Sequence, residues 1–129
     1  MQQAITNHNQ FGRPIQAHVV FGDHPSPPPI YFLLHGGGNI YSDLLPHDLD
    51  YLRWCFQADD EISTVYATGS SSTEQLRLAN VHDRATVVVK FKRGGVATFT
   101  LSRFSAYGYD QRCEIWGEGG DETCCSECS

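Results

Sequence analysis

This sequence predicts an α+β fold, a mostly antiparallel sheet with helix packed on one face. Two observations carry that expectation. Thr86–Phe91 and Val96–Phe104 are β-branched and aromatic runs joined through Lys92-Arg93-Gly94-Gly95, a hairpin with glycine where positive φ is needed. Ile40, Leu44, Leu45, Leu49, Leu52 and Phe56 recur at helical spacing, the apolar face of one strong helix over Tyr41–Phe56. Strand and helix patterns do not alternate along the chain, and there is no internal repeat.

Taken in order, residues 1–13 are a polar, patternless lead-in, and 14–120 form the domain. Pro14–Gly22 opens the sheet, with Ile15, Ala17 and Val19 on one parity. Asp23–Pro29 (DHPSPPP) is an extended loop, because its prolines have no donor for a ladder. Ile30–Leu34 is a short apolar run into three glycines. Ser63–Ser70 alternates with Val65 and Ala67 on one face and reads as a strand. Ser71–Asn80 is a polar loop with a helical turn around Glu74–Leu78. Arg112–Trp116 is the last of about five strands, stopped by Gly117, Gly119 and Gly120, and 121–129 form a cysteine-rich tail.

The helix mouth holds the residues with chemistry. Asp43 and His47 stand four apart and share a helical face. Pro46 fits only a first turn, so the helix should start near Ser42 or Asp43, with Asp43 able to cap it. A carboxylate that steadies an imidazole is a common general-base construction. The same spacing also suits a plain cap beside a hydrogen-bonded histidine. Asp48 and Asp50 read as a solvated acidic helix face.

Composition narrows the partners. The 129 residues carry a net charge of −6, with no basic cluster beyond Lys90–Arg93, which argues against nucleic acid. No run approaches a membrane span, and the first residues lack the regions of a signal peptide, so a cytoplasmic protein is the expectation. Cys55 and Cys113 read as small buried hydrophobes. Cys124, Cys125 and Cys128 offer one C-x-x-C pair, short of a structural zinc set, so no metal is expected.

Two resemblances bear on function. His35-Gly36-Gly37-Gly38 resembles the oxyanion-hole motif of lipases and esterases, but the required G-x-S-x-G elbow is absent and the hairpins disagree with that fold's parallel sheet. The broader resemblance joins a glycine pair, D-x-x-x-H-D-x-D with a nearby arginine, Val65-Tyr66-Ala67-Thr68-Gly69 and Tyr107-Gly108-Tyr109-Asp110-Gln111-Arg112. From about Pro14 to Gly120 these resemble the substrate domain of inositol 2-dehydrogenase-like proteins, in the glucose–fructose oxidoreductase-like (Gfo/Idh/MocA) family. The resemblance implies oxidation of a secondary alcohol of a polyol or sugar, with His47 as the base and Asp43 binding the polyol beside it. Tyr107, Tyr109 and Asn39 would contact substrate. Asn39 stands where relatives carry glycine, and Leu44-Leu45-Pro46 also departs from the family pattern.

The family implies NAD or NADP, yet this chain has no site for it: G-x-G-x-x-G is absent and the only lysines, Lys90 and Lys92, flank a hairpin. The expectation is a substrate domain, inactive without a Rossmann domain supplied elsewhere. A non-catalytic binding or homo-oligomerisation module working through an open sheet face is the alternative, as is a gene fragment. An esterase-like hydrolase fragment is the remote one.

Overall fold

The computed structural model describes residues 12–28, 30–31, 39–56 and 60–126, the last six through their backbone alone. The His35–Gly38 motif and the side chains of Cys124, Cys125 and Cys128 therefore lie outside the described residues.

Six strands make one sheet: β1 (Pro14–Gly22), β2 (Ile62–Ser70), β3 (Arg84–Phe91), β4 (Val96–Ser102), β5 (Asp110–Gly117) and β6 (Gly120–Ser126). Their order across the sheet is β2-β3-β4-β1-β5-β6. Neighbours are antiparallel except β1 and β4, which run parallel. The mostly antiparallel sheet with helix on one face is thus the architecture, and the parallel sheet of a hydrolase is not. A sixth strand joins the five expected. It crosses residue 120 because Gly117 and Gly120 pair across a tight turn and β5 lends its backbone groups to the return.

The single helix expected over Tyr41–Phe56 is two, α1 (Ile40–Asp43) and α2 (Leu45–Cys55). Pro46 explains the break. It has no N–H for the carbonyl of Ser42, and its ring crowds that same carbonyl. The cap also differs from expectation: Asn39, not Asp43, closes α1, its side-chain oxygen accepting from the Tyr41 N–H at 3.3 Å. The helical turn in the loop is α3 (Glu74–Leu78), capped by Thr73.

The core lies between α1–α2 and one face of the sheet. Ala17 and Val19 of β1, Val87, Val89 and Phe91 of β3, and Phe99 and Leu101 of β4 are buried there with Ile40, Leu52 and Phe56. Phe56 stacks on Phe91 with centroids 4.5 Å apart. Gly94 takes φ +96 in the β3–β4 hairpin. Its neighbour Gly95 is needed for space, since a Cβ there would lie 2.5 Å from the Phe56 ring.

Ile15 breaks its expected parity. A register shift between Pro14 and Gln16 inserts it as an extra residue, and it turns outward at 42% exposure. Cys113 is buried as expected, while Cys55 is half-buried against the core. β2 alternates in sequence but not in burial: as a border strand it meets the core at Ile62 and the Tyr41 hydroxyl at Gly69, and the residues between are exposed.

Candidate active site

The one parallel pairing positions the polar end of the sheet. Because β1 and β4 point the same way, the residues that follow them, Asp23 and Arg103, emerge side by side, and the Asp23 N–H donates to the Ser102 carbonyl at 3.0 Å. Arg103 is almost wholly buried, at 3% exposure. Its Nη2 donates to Asp43 Oδ2 at 2.6 Å, and its Nη1 lies 3.9 Å from Asp23 Oδ2. One guanidinium thus ties the end of α1 to the end of β1.

Asp43 is therefore engaged by Arg103 rather than by His47, and among the described residues no hydrogen bond joins the expected pair. His47 is exposed in the first turn of α2. It lines a cavity of about 470 Å³ with Asp50, Tyr51, Arg53 and Trp54, and Asp43 is not part of that lining.

A second connection runs from α2 to the sheet. Asp48 is 7% exposed, so the solvated acidic face expected for it is wrong; Asp50, by contrast, is exposed. Leu44, Asp48, Leu52 and Phe56 recur every four residues on the packed side of the helix, which carries Asp48 inward. Its Oδ1 accepts from Gln111 Nε2 at 3.3 Å, and Gln111 Oε1 accepts from the Tyr109 hydroxyl at 3.0 Å. The other carboxylate oxygen, Oδ2, is buried and has no partner among the described residues.

Burial pushes the Asp48 carboxyl above the ordinary carboxylate range, against the opposing pull of the Gln111 hydrogen bond and the His47 charge. Burial also raises the Tyr109 phenol, helped by the nearby charges of Asp23 and Asp48. Phe21 meets the Tyr109 ring edge-on at 5.5 Å.

The two tyrosines of the Y-G-Y string part company. Tyr109 joins Asp48 through Gln111, whereas Tyr107 is 75% exposed and donates its hydroxyl to Asp110. Asp110 is itself buried and held by Arg112 at 2.9 Å. Asn39, the fifth expected site residue, spends its side-chain oxygen on the cap.

Sequence reasoning missed Arg103 and Gln111, and gave Asp48 the wrong surroundings. A signal for all three existed. Arg103 continues the inward parity of Ala97, Phe99 and Leu101, and Gln111 shares that of Cys113 and Ile115. Polar side chains at core-facing positions must find partners, so three of them at one sheet end point to a network. Among the described residues no group of three metal-ligating side chains converges, and no helix is long and apolar enough to cross a membrane.

Known proteins share this fold. A family model described as GFO/IDH/MocA C-terminal domain matches residues 2–121. Myo-inositol 2-dehydrogenase of Thermotoga maritima is 35% identical over 121 residues, covering 93% of this chain and 35% of that protein. The crystal structure of a myo-inositol dehydrogenase from Corynebacterium glutamicum superposes with a TM-score of 0.80 at 30% identity, over 95% of this chain and 36% of that one. Scyllo-inositol dehydrogenase from Lactobacillus casei, crystallised with NAD(H) and scyllo-inositol, shares the fold at a TM-score of 0.79 and 22% identity, over 95% of this chain and 37% of that one. This chain spans about a third of the length of these relatives. It belongs to the GFO/IDH/MocA family and corresponds to the C-terminal domain of the family's inositol dehydrogenases.

Proposed function

We propose that this chain is the substrate-binding domain of an NAD(P)-dependent inositol or polyol dehydrogenase, with His47 as the base. The observation that supports this reading is the gathering of Asp43, Arg103 and Asp23, and of Tyr109, Gln111 and Asp48, at one end of the sheet, with His47 next to Asp48 in the first turn of α2.

Oxidising a secondary alcohol requires a hydroxyl proton to leave as hydride departs from the same carbon. An imidazole is the side chain best suited to take that proton near neutral pH. Asp43, held by Arg103, would accept a neighbouring polyol hydroxyl, and with it fix the distance from the reacting carbon to His47. Tyr109 would meet a second hydroxyl. Asn39, its oxygen committed to the cap, would offer only its amide donors. Tyr107 would close the rim.

A dinucleotide does not fit the described residues. They contain no glycine-rich turn between a parallel strand and a helix N-terminus, where a pyrophosphate would be held. The reading therefore leaves NAD or NADP to a Rossmann domain outside these 129 residues, and makes the isolated domain inactive. The domain would work in the cytoplasm.

A second reading rests on the sheet face left uncovered among the described residues, where Tyr66 is 64% exposed beside the half-buried Val88, with Val20 and Trp116 half-buried on more distant strands. Two copies of the domain would pair through that face.

The test is to fuse the chain behind the Rossmann domain of a relative and follow cofactor reduction with NAD and myo-inositol. Turnover that falls by roughly 10²–10⁴ in His47→Ala supports the assignment. Turnover untouched by that change refutes it, and so does saturable NAD binding by the isolated chain in a calorimeter.

A further inference from the structure

Gln111 sits between an acceptor and a hydroxyl, and this fixes which way round its amide lies. Ionised, the Asp48 carboxylate only accepts, so the Gln111 group facing it is then the N–H2 donor. A reversed amide would set a carbonyl oxygen against a carboxylate oxygen in a buried site. The Gln111 oxygen then faces Tyr109, and the Tyr109 hydroxyl must give it its proton.

That hydroxyl has one proton and two acceptor positions. With the proton committed to Gln111, only lone pairs remain for a ligand. We propose that Asp48 and Gln111 make Tyr109 an obligate hydrogen-bond acceptor, so that the substrate group it recognises must be a free hydroxyl or another O–H or N–H donor. The inference rests on the reading of Tyr109 as a substrate contact and deepens it. Tyr109 becomes a specificity-determining residue, and Asp48 a positioning residue that acts through Gln111.

Asp48 Oδ2, unpartnered among the described residues, supports a functional rather than a stabilising role. A carboxylate kept for stability alone would have both oxygens satisfied, since an orphaned buried acceptor is costly. A leucine would continue the helix's apolar row at lower cost, but could not orient the amide.

The polarity can be measured without a ligand. Neutron diffraction from a deuterated crystal of the chain should show a deuteron on the Tyr109 oxygen aimed at Gln111, and two on the Gln111 nitrogen facing Asp48. The reverse arrangement overturns the proposal, whatever the chain binds.

Binding supplies the second arm. Myo-inositol and its monofluoro-deoxy analogues, one ring position at a time, would be titrated into the chain and followed by NMR shifts. Fluorine keeps the size of a hydroxyl but donates nothing. At one ring position it should weaken binding by about tenfold. That penalty should vanish in Tyr109→Phe. It should shrink in Asp48→Asn, because a neutral amide tolerates either orientation of Gln111. A penalty that is absent at every position, or unchanged in Tyr109→Phe, refutes the proposal. If myo-inositol itself gives no saturable shift, the substrate reading of this domain fails, and the diffraction result still decides the polarity.

Discussion

Arg103 and Asp43, sixty positions apart in sequence, meet at 2.6 Å, and the arginine is buried while the aspartate is half open to solvent. The asymmetry matters for energetics. The guanidinium has left water and depends on its partners, whereas the carboxylate keeps part of its hydration. In a double-mutant cycle, Arg103→Met and Asp43→Asn should show a coupling on the order of 1 kcal/mol, discounted from a fully buried pair because Asp43 is exposed. Additive effects in urea unfolding would mean that the contact does not hold α1 to the sheet.

His47 should behave in the opposite way. It is exposed and packs into no core, so His47→Ala should leave stability within about 0.5 kcal/mol. The same change should remove nearly all turnover of the Rossmann fusion. Measuring Tm beside rate separates this from a folding defect.

Asp48 gives a pH dependence of stability with a definite sign. Its folded carboxyl titrates above the ordinary value near 3.9, so in the window above that value the folded chain binds more protons than the unfolded one. Stability contributed by the protonated form is therefore lost as pH rises through the window. Once ionised, the carboxylate is a buried charge with one oxygen unpartnered among the described residues. Asp48→Asn should be the more stable protein at pH 7, by about 1 kcal/mol, with the gap closing below roughly pH 3.9. The groups facing this carboxylate are His47 on its own helix, Gln111 and Tyr109 from the sheet, and Asp23 beyond them. Denaturant midpoints measured from pH 3 to pH 8 would test it, and a constant gap would contradict it.

Gly95→Ala tests the packing of α2. The new methyl would meet the Phe56 ring, which is stacked on the buried Phe91 and cannot swing away. A loss of about 1–3 kcal/mol is expected from overpacking. Phe56→Leu in the same background should recover part of it, and failure to recover would place the strain in the hairpin backbone.

Much of this fold was legible because the local signals were redundant. The β3–β4 hairpin announced itself through two β-branched runs and a glycine that takes the φ its position requires. The helical row from Ile40 to Phe56 did the same, although Pro46 divided it at a place that periodicity could not weigh. β6 was not legible. Its residues have no apolar alternation, and they are a strand because β5 offers them backbone partners. The candidate site was legible only in part for a related reason. Asp43 and Asp48 lie close in sequence, while Arg103 reaches Asp43 and Gln111 reaches Asp48 only through the parallel β1–β4 pairing and the docking of α2 on the sheet. Single-sequence patterns do not encode such distant meetings, except as polar residues at positions where the core parity calls for apolar ones.

β2 has a consequence of another kind. Among the described residues it borders the sheet and pairs with β3 alone, and it carries no charged residue from Ile62 to Ser70. Val65 and Tyr66 point to opposite faces, and both are more than half exposed. Natural borders of this sort are blunted by lysine, proline or a bulge within the strand. The one irregularity here falls at its first residues, between Ile62 and Thr64, and leaves the rest straight. The outer margin of β2 is thus a template on which another extended chain can crystallise, rung by rung.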